Sequence, residues 1–489
     1  MNFKLLLLLL MALLHNNVCA KQIIVGADEW IDFTNKDGSG VYFELLKRIY
    51  PDDQLIFQLA PFDDTINAFN DQKVDIVVGA YKDDIPNALY PNWFLDTEYP
   101  IVAIYDPKHI SIKKSSDIYK LKLSWLKGYK FDRYITSKPK VKVVEKIDEG
   151  FTLLEQHNID AFIDYEYNLT PEEQLKYKTF EIVPSRHVYM TFQHNKAGKA
   201  LAKTFDEQML ILRDKGELKQ LYTEDYTHSK LDDFNPKREK IIVMTNSVSL
   251  LSAAKHINLL PHSKEQSLHF IFDRMDKYEF EFKLLKDIAQ IYQFKDEKNM
   301  CFSDLIRTQE REKYFTASKP ISIFLGMRLY STNRLTHENR INLSELMEKN
   351  PNFRLGTASG RSYGVQLDQK LKQINSSQIV KSPVDLKTIF RQLASDRFNL
   401  LIEYPTEIRD YWPSISNKTL YSYELADATD YVLGHLMCNN STTGKAFIHD
   451  INELITELHH SSVFFDAQFR RISDADKNKF INYFNEVFK

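Results

Sequence analysis

Gln22-Ile23-Ile24-Val25-Gly26, the turn Asp28-Glu29-Trp30 that follows it, and Val74-Asp75-Ile76-Val77-Val78-Gly79-Ala80 are the stretches that decide the fold. Both apolar runs are short, rich in β-branched residues and bounded by turn chemistry, which marks strands. Between them lie a helix-like stretch at residues 40–50, a second strand signal at 55–59 and a helix at 63–72. The order is β-α-β-α-β, the pattern of a layered α/β domain with a parallel sheet. The second half replays it more loosely, with a strand at 240–244, a helix expected over 280–292 and the segment 305–311. Each half then has a later lobe of its own, so two comparable domains are expected rather than one large one.

The N-terminus reads as an export signal. Lys4 supplies the positive start, residues 5–14 an apolar core, and Val18-Cys19-Ala20 a small-residue cleavage site. That core is too short to span a bilayer, and no later segment approaches the roughly 18 apolar residues a span requires. Cleavage after Ala20 is expected, leaving a secreted, periplasmic chain that starts at Lys21. A lipid anchor on Cys19 is the rival, disfavoured by Asn16 and Asn17 before it.

The chain has 489 residues, 43% hydrophobic and 27% charged, enough for two or three cored domains. A net charge of −3 without a long basic run argues against nucleic acid as a partner. Beyond the signal only Cys301 and Cys438 remain, and an oxidising compartment invites their pairing; the alternative is two buried thiols. Residues 229–239 are charged, contain Pro236 and lack apolar periodicity, which is linker character. The expected division is a signal at 1–20, a first domain at 21–230, a linker at 231–238 and a second domain at 239–489.

Several ordered motifs then carry a resemblance. They are Asp37-Gly38-Ser39-Gly40-Val41-Tyr42-Phe43-Glu44, Asn67-Ala68-Phe69 leading into Val74–Gly79, Lys127-Gly128-Tyr129, Asn158-Ile159-Asp160-Ala161-Phe162-Ile163-Asp164-Tyr165, and the helix around Leu212-Arg213-Asp214. In this order they resemble extracellular solute-binding proteins of family 3, the polar amino-acid type built on the type II periplasmic-binding fold. Thr308-Gln309-Glu310-Arg311, Phe315-Thr316-Ala317-Ser318 and Leu355-Gly356-Thr357-Ala358-Ser359-Gly360-Arg361-Ser362-Tyr363-Gly364 resemble a second, more divergent copy.

The resemblance implies two tandem clamps, each of two α/β lobes with a hinge and an interlobe cleft that closes on a small ligand. Open α/β sheets bind ligands at the carboxyl ends of their strands, where loops and helix N-termini converge. In the first copy this points to Trp30 and Tyr81 as aromatic surfaces, the Gly128-Tyr129 turn, and Asp164 as an acceptor for an ammonium. Members that grip an α-carboxylate usually carry Thr-x-x-Arg after a lobe-one strand. The first copy reads Tyr81-Lys82-Asp83-Asp84 there, so Lys82 is its nearest cation and an amine-bearing ligand is favoured. The second copy has Thr308 and Arg311 at that spacing, but Glu403-Tyr404 where an Asp is expected. Its Gly-bearing turn, with Ser359, Arg361 and Ser362, reads as an anion site, the alternative being an ordinary helix cap.

Catalytic motifs are wanting. There is no Gly-x-Ser-x-Gly elbow, zinc helix or phosphate loop, and His459-His460 are adjacent rather than four apart. No cofactor and no metal are implied. A dehydratase on the same fold stays open through Asp164 and Glu166. The expectation is a non-catalytic periplasmic solute-binding protein for an ABC transporter, its partner a membrane permease. The alternative is a soluble sensing module acting through a membrane receptor.

Overall fold

A computed structural model describes residues 21–488, apart from 83, 130, 136–139, 246–265, 286, 287 and 383–385. The expected signal, residues 1–20, lies outside the described residues. The chain forms two compact units. One comprises the chain up to Glu98 together with His187–Pro236, the other Tyr99–Arg186 together with Lys237 onward.

In the first unit β1 (Gln22–Ala27) lies between β2 (Gln54–Leu59) and β3 (Ile76–Ala80), parallel to both. Beside β3 runs β10 (Arg186–Phe192), antiparallel, with β4 (Asp96–Glu98) at the edge. Ile23, Val25 and Ala27 alternate inward along β1, as a half-covered strand requires. The helix Val41–Ile49 buries Tyr42, Phe43, Leu45, Leu46 and Ile49, the spacing of one helical face. Gly40 opens it at φ 111°, where a Cβ would meet the Phe33 carbonyl at 2.5 Å, so only glycine fits. Leu231 and Phe234, from the stretch read as a linker, are buried in this unit's core.

Among the described residues the second unit carries three sheets. The first holds β5 (Ile101–Tyr105), β6 (Lys122–Leu126), β7 (Lys140–Val144), β8 (Ala161–Tyr165) and β9 (Lys178–Val183) in the order β7-β6-β8-β5-β9. The next holds β11 (Glu239–Thr245), β12 (Tyr278–Leu284), β13 (Met300–Ile306), β14 (Phe315–Leu325) and β21 (Tyr431–Asn439) in the order β12-β11-β13-β21-β14. The last holds β15 (Arg328–Ser331), β16 (Arg340–Ile341), β17 (Leu355–Ala358), β18 (Ile379–Ser382), β19 (Leu400–Glu403) and β20 (Tyr421–Leu425) in the order β16-β20-β15-β19-β17-β18.

These orders establish the duplication. The β2-β1-β3-β10-β4 sheet and the β12-β11-β13-β21-β14 sheet share one topology, down to the two parallel pairs and the antiparallel return strand. The β7-β6-β8-β5-β9 order recurs as β18-β17-β19-β15-β20, with β16 added at the edge. The expected α/β fold, two tandem repeats with two sheets each, is therefore the fold found.

One expected element is of another kind. The stretch expected as one helix over 280–292 is divided: Tyr278–Leu284 is β12, and Ile288–Phe294 is a 3₁₀ helix. Tyr278, Phe280, Phe282 and Leu284 alternate with Glu279, Glu281 and Lys283, a period of two that places the first three rings on one face of the strand. The helix described before β12 is Gln266–Phe272.

A single apolar cluster joins the lobe-two sheet of the first repeat to the second repeat. Ile101, Trp125, Ile163 and Ile182 share it with Ile241, Val243, Phe447, Phe464, Phe465 and Phe480. Each fully buried Phe or Ile contributes about 1.5–3 kcal/mol. Polar ties run alongside, from Ser115 Oγ to the Ser461 carbonyl at 3.1 Å and from Arg470 to the Arg133 carbonyl at 2.8 Å.

Cys301 and Cys438 are bonded, as expected. They face each other across β13 and β21, in the register position that Ile76 and Phe192 occupy across β3 and β10 of the first repeat.

Candidate functional site

In the first unit Trp30 lies against Gly79 at the end of β3. Gly79 has φ 77°, and a Cβ there would sit 2.2 Å from the indole ring, so the glycine is what lets the ring approach. Thr34 holds the turn, its Oγ1 accepting from Trp30 N–H at 2.9 Å and donating to the Asp28 carbonyl at 2.6 Å. Trp30 stays half-buried, with Tyr42 edge-on at 6.4 Å. Tyr81 is 7% exposed and belongs to the unit's core. Its carbonyl accepts from Tyr90 Oη at 2.9 Å. The Lys82 ammonium sits 4.6 Å over the Tyr189 ring, a cation–π contact within its own unit.

In the second unit Gly128 turns the chain after β6 at φ 94°, with open space where a side chain would be. Tyr129 follows and stacks on Phe131 at 5.2 Å, with Tyr165 edge-on at 5.9 Å. Asp164 is the next-to-last residue of β8 and is 1% exposed. Its Oδ1 accepts from Tyr165 N–H at 2.8 Å. Its Oδ2 is buried and takes no hydrogen bond among the described residues. Burial pushes the carboxyl up to about 6, opposed by the Tyr165 N–H and the Asn168 side chain. A buried carboxylate with one unused oxygen is an acceptor waiting for a donor.

The second repeat arranges the same place differently. Leu123 pairs with Ala161 between β6 and β8 as Leu355 pairs with Leu400 between β17 and β19. Stepping along these strands sets Gly360 at the place of Gly128, Arg361 at that of Tyr129, Glu403 at that of Asp164 and Tyr404 at that of Tyr165. Gly360 repeats the left-handed turn at φ 71°. Glu403, 1% exposed, accepts from Tyr404 N–H at 2.8 Å, as Asp164 does from Tyr165. Here, however, Arg361 closes a bidentate pair, Nη1 to Oε2 at 2.6 Å and Nη2 to Oε1 at 2.7 Å. The guanidinium lies 5.1 Å from the Tyr404 ring and 5.7 Å from the Tyr363 ring. Burial pushes Glu403 up, and the facing guanidinium opposes it.

The turn expected to hold an anion is answered from within the chain. Arg361 spends its charge on Glu403, while Asp368 accepts from Ser362 Oγ at 2.5 Å and from Tyr363 N–H at 2.7 Å. Ser359 donates its N–H to the Ser382 carbonyl at 2.9 Å. Thr308 caps the helix Gln309–Glu312 by accepting from Arg311 N–H at 3.2 Å. Arg311 is 4% exposed, and its Nη1 donates to the Ile306 carbonyl at 2.8 Å. Burial lowers its pKa, while Tyr292 and the Asp368 charge hold it up.

Asn168 beside Asp164 in the first repeat, and Tyr292 and Asp368 around Arg311 and the Ser362 turn in the second, were not singled out in the sequence. Asp368 had a signal, an acid in the first turn of the helix Val365–Gln373, where helix-terminal amides favour it. Tyr292 had none. Among the described residues no helix is long and apolar enough to cross a membrane.

No protein-family model matches the chain, and no curated protein does. Solved structures resemble it at low identity. The BvgS periplasmic domain of B. pertussis matches with a TM-score of 0.37 and 12% identity, over 96% of this chain and 94% of that one. A substrate-binding protein of an ABC uptake transporter from Streptococcus pneumoniae, solved with bound histidine, matches with a TM-score of 0.35 and 14% identity, over 42% of this chain and 93% of that one. The GluR0 ligand-binding core from Nostoc punctiforme, in complex with L-glutamate, matches with a TM-score of 0.34 and 15% identity, over 42% of this chain and 99% of that one.

Proposed function

We propose that the chain is an exported, non-catalytic solute-binding protein whose first repeat captures a small amine-bearing ligand. The observation that carries this reading is Asp164, a buried carboxylate at a strand's carboxyl end with one oxygen lacking a hydrogen bond among the described residues. An ammonium donates up to three hydrogen bonds and carries the charge that a buried carboxylate needs. In its transport form the occupied protein delivers the ligand to an ABC permease from the periplasm, after a signal has been cleaved at Ala20.

A second reading has a specific observation behind it. In the second repeat the equivalent acid is neutralised by Arg361, which suits a repeat kept for regulation, in a soluble module that reports occupancy to a membrane receptor. A thermal-shift screen of the mature chain against amino acids, polyamines, organic acids, sugars and muropeptides tests the ligand class. Amines that stabilise wild type but not Asp164→Ala support the proposal, and stabilisation by ligands without a cationic group, kept in Asp164→Ala, overturns it.

A further inference from the structure

We propose that Arg361 is a tethered occupant of the second repeat's cation site, so that this repeat admits no ammonium or guanidinium ligand. The inference deepens the reading above by fixing which repeat a cationic ligand can enter, and it rests on that reading only for the first repeat.

The argument starts from the two copies of one sheet. In both, the third strand of the parallel run carries near its end a buried acid whose first oxygen accepts the next tyrosine's N–H at 2.8 Å. In both, a left-handed glycine turns the chain after the neighbouring strand, Gly128 at φ 94° and Gly360 at φ 71°. The residue after that glycine makes the difference. Tyr129 packs its ring on Phe131 and Tyr165 and leaves Asp164 Oδ2 without a hydrogen bond among the described residues. Arg361 reaches Glu403 with both terminal nitrogens, and its planar cation lies over Tyr404, as an arginine-like ligand held between acid and ring would lie.

The chain therefore supplies in the second repeat the cation that the first leaves to solvent. A free amine entering the second repeat must displace a bidentate, buried partner that is covalently present at high effective concentration, and it loses that competition. The longer acid fits this role, because Glu403 has one methylene more than Asp164 with which to meet a side chain arriving from the neighbouring turn.

The test is chemical substitution of the tether, on the full mature chain. Arg361→Gly leaves Glu403 buried beside a guanidinium-sized space, and methylguanidinium chloride is titrated calorimetrically against sodium chloride at equal ionic strength. Arg361→Gly is expected to bind methylguanidinium at one site at least about ten-fold more tightly than the double variant Arg361→Gly/Glu403→Gln, the scale of losing one buried charge partner. Wild type and Glu403→Gln are expected to bind it alike. Equal binding by Arg361→Gly and the double variant overturns the proposal, and so does wild-type binding that Glu403→Gln abolishes. If Arg361→Gly is recovered unfolded, it is refolded with methylguanidinium or with sodium chloride. Recovery with the guanidinium alone supports the proposal, and no difference overturns it. Binding through Asp164 is a background common to all four proteins, so failure of the first-repeat reading removes that background without touching the Glu403-dependent difference.

Discussion

Asp164 and Glu403 stand at the same position in two copies of one sheet, each accepting the N–H of the tyrosine that follows it at 2.8 Å. They differ in what meets the other oxygen. Glu403 is met by Arg361, while Asp164 Oδ2 has no hydrogen-bond partner among the described residues. The same backbone thus presents one acid already neutralised and one that gains by meeting a cation.

Asp164 should weaken the ligand-free protein at neutral pH. Its carboxyl titrates at about 6 in the folded chain against an ordinary 3.8, so the folded state holds its proton longer and stability falls as pH rises from about 4 to about 6. Asp164→Asn removes that burden, up to about 3 kcal/mol above pH 6 and almost nothing below pH 4. Urea unfolding at pH 7.5 and at pH 4 checks this. A variant stabilised equally at both values contradicts it.

Binding of an amine should follow the ionisation of the same group. Above about 6 the carboxylate is charged and accepts the ammonium; below it the acid is neutral and affinity falls about ten-fold per pH unit. Calorimetric titration from pH 5 to pH 8 with a lead from the screen reads this directly. The bound ammonium lowers the group's pKa, so the complex takes up the acid limb at a lower pH than the free protein does.

The disulfide closes a long loop, with Cys301 and Cys438 separated by 137 residues. In the chain-entropy picture such a closure stabilises by about 4–5 kcal/mol. Reduction, or Cys301→Ala/Cys438→Ala, should lower the melting temperature of the second repeat by roughly 10 °C or more, at about 2–4 °C per kcal/mol for domains of about 250 residues. Titration of the denatured, unreduced protein should find no free thiol there.

Gly79→Ala should displace Trp30. The new methyl would meet the indole at 2.2 Å in a left-handed backbone, and such strain with overpacking costs about 1–3 kcal/mol. A changed tryptophan emission with an intact far-ultraviolet spectrum is the expected signature. Unchanged emission would mean that the ring is not seated on the glycine.

The fold was legible because its carriers are local. The β1 and β3 runs, the helix Val41–Ile49 and the Gly-bearing turns at Gly128 and Gly360 announce themselves through periodicity and turn chemistry. The strand Tyr278–Leu284 overlaps the stretch expected as a helix over 280–292, and its apolar and charged residues alternate with a period of two, which is the signal of a strand. In the site, Asp164 and the Arg361 turn were legible as charged groups at strand ends. The pairing of Arg361 with Glu403 was not, since Arg361 lies in the turn after β17 and Glu403 at the end of β19, 42 positions apart, and only the sheet order joins them. For the same reason Tyr81 and Lys82 looked available, whereas one packs in a core and the other over Tyr189.

The central claim is that Asp164, and not the second repeat, takes the ligand's cation. The most direct measurement is calorimetric titration of a stabilising amine into wild type, Asp164→Ala and Arg311→Ala. Loss of a buried charged hydrogen bond costs about 2–5 kcal/mol, so Asp164→Ala should weaken binding about 30-fold or more while Arg311→Ala leaves it unchanged. Unchanged binding in Asp164→Ala, or equal loss in both variants, would contradict the account.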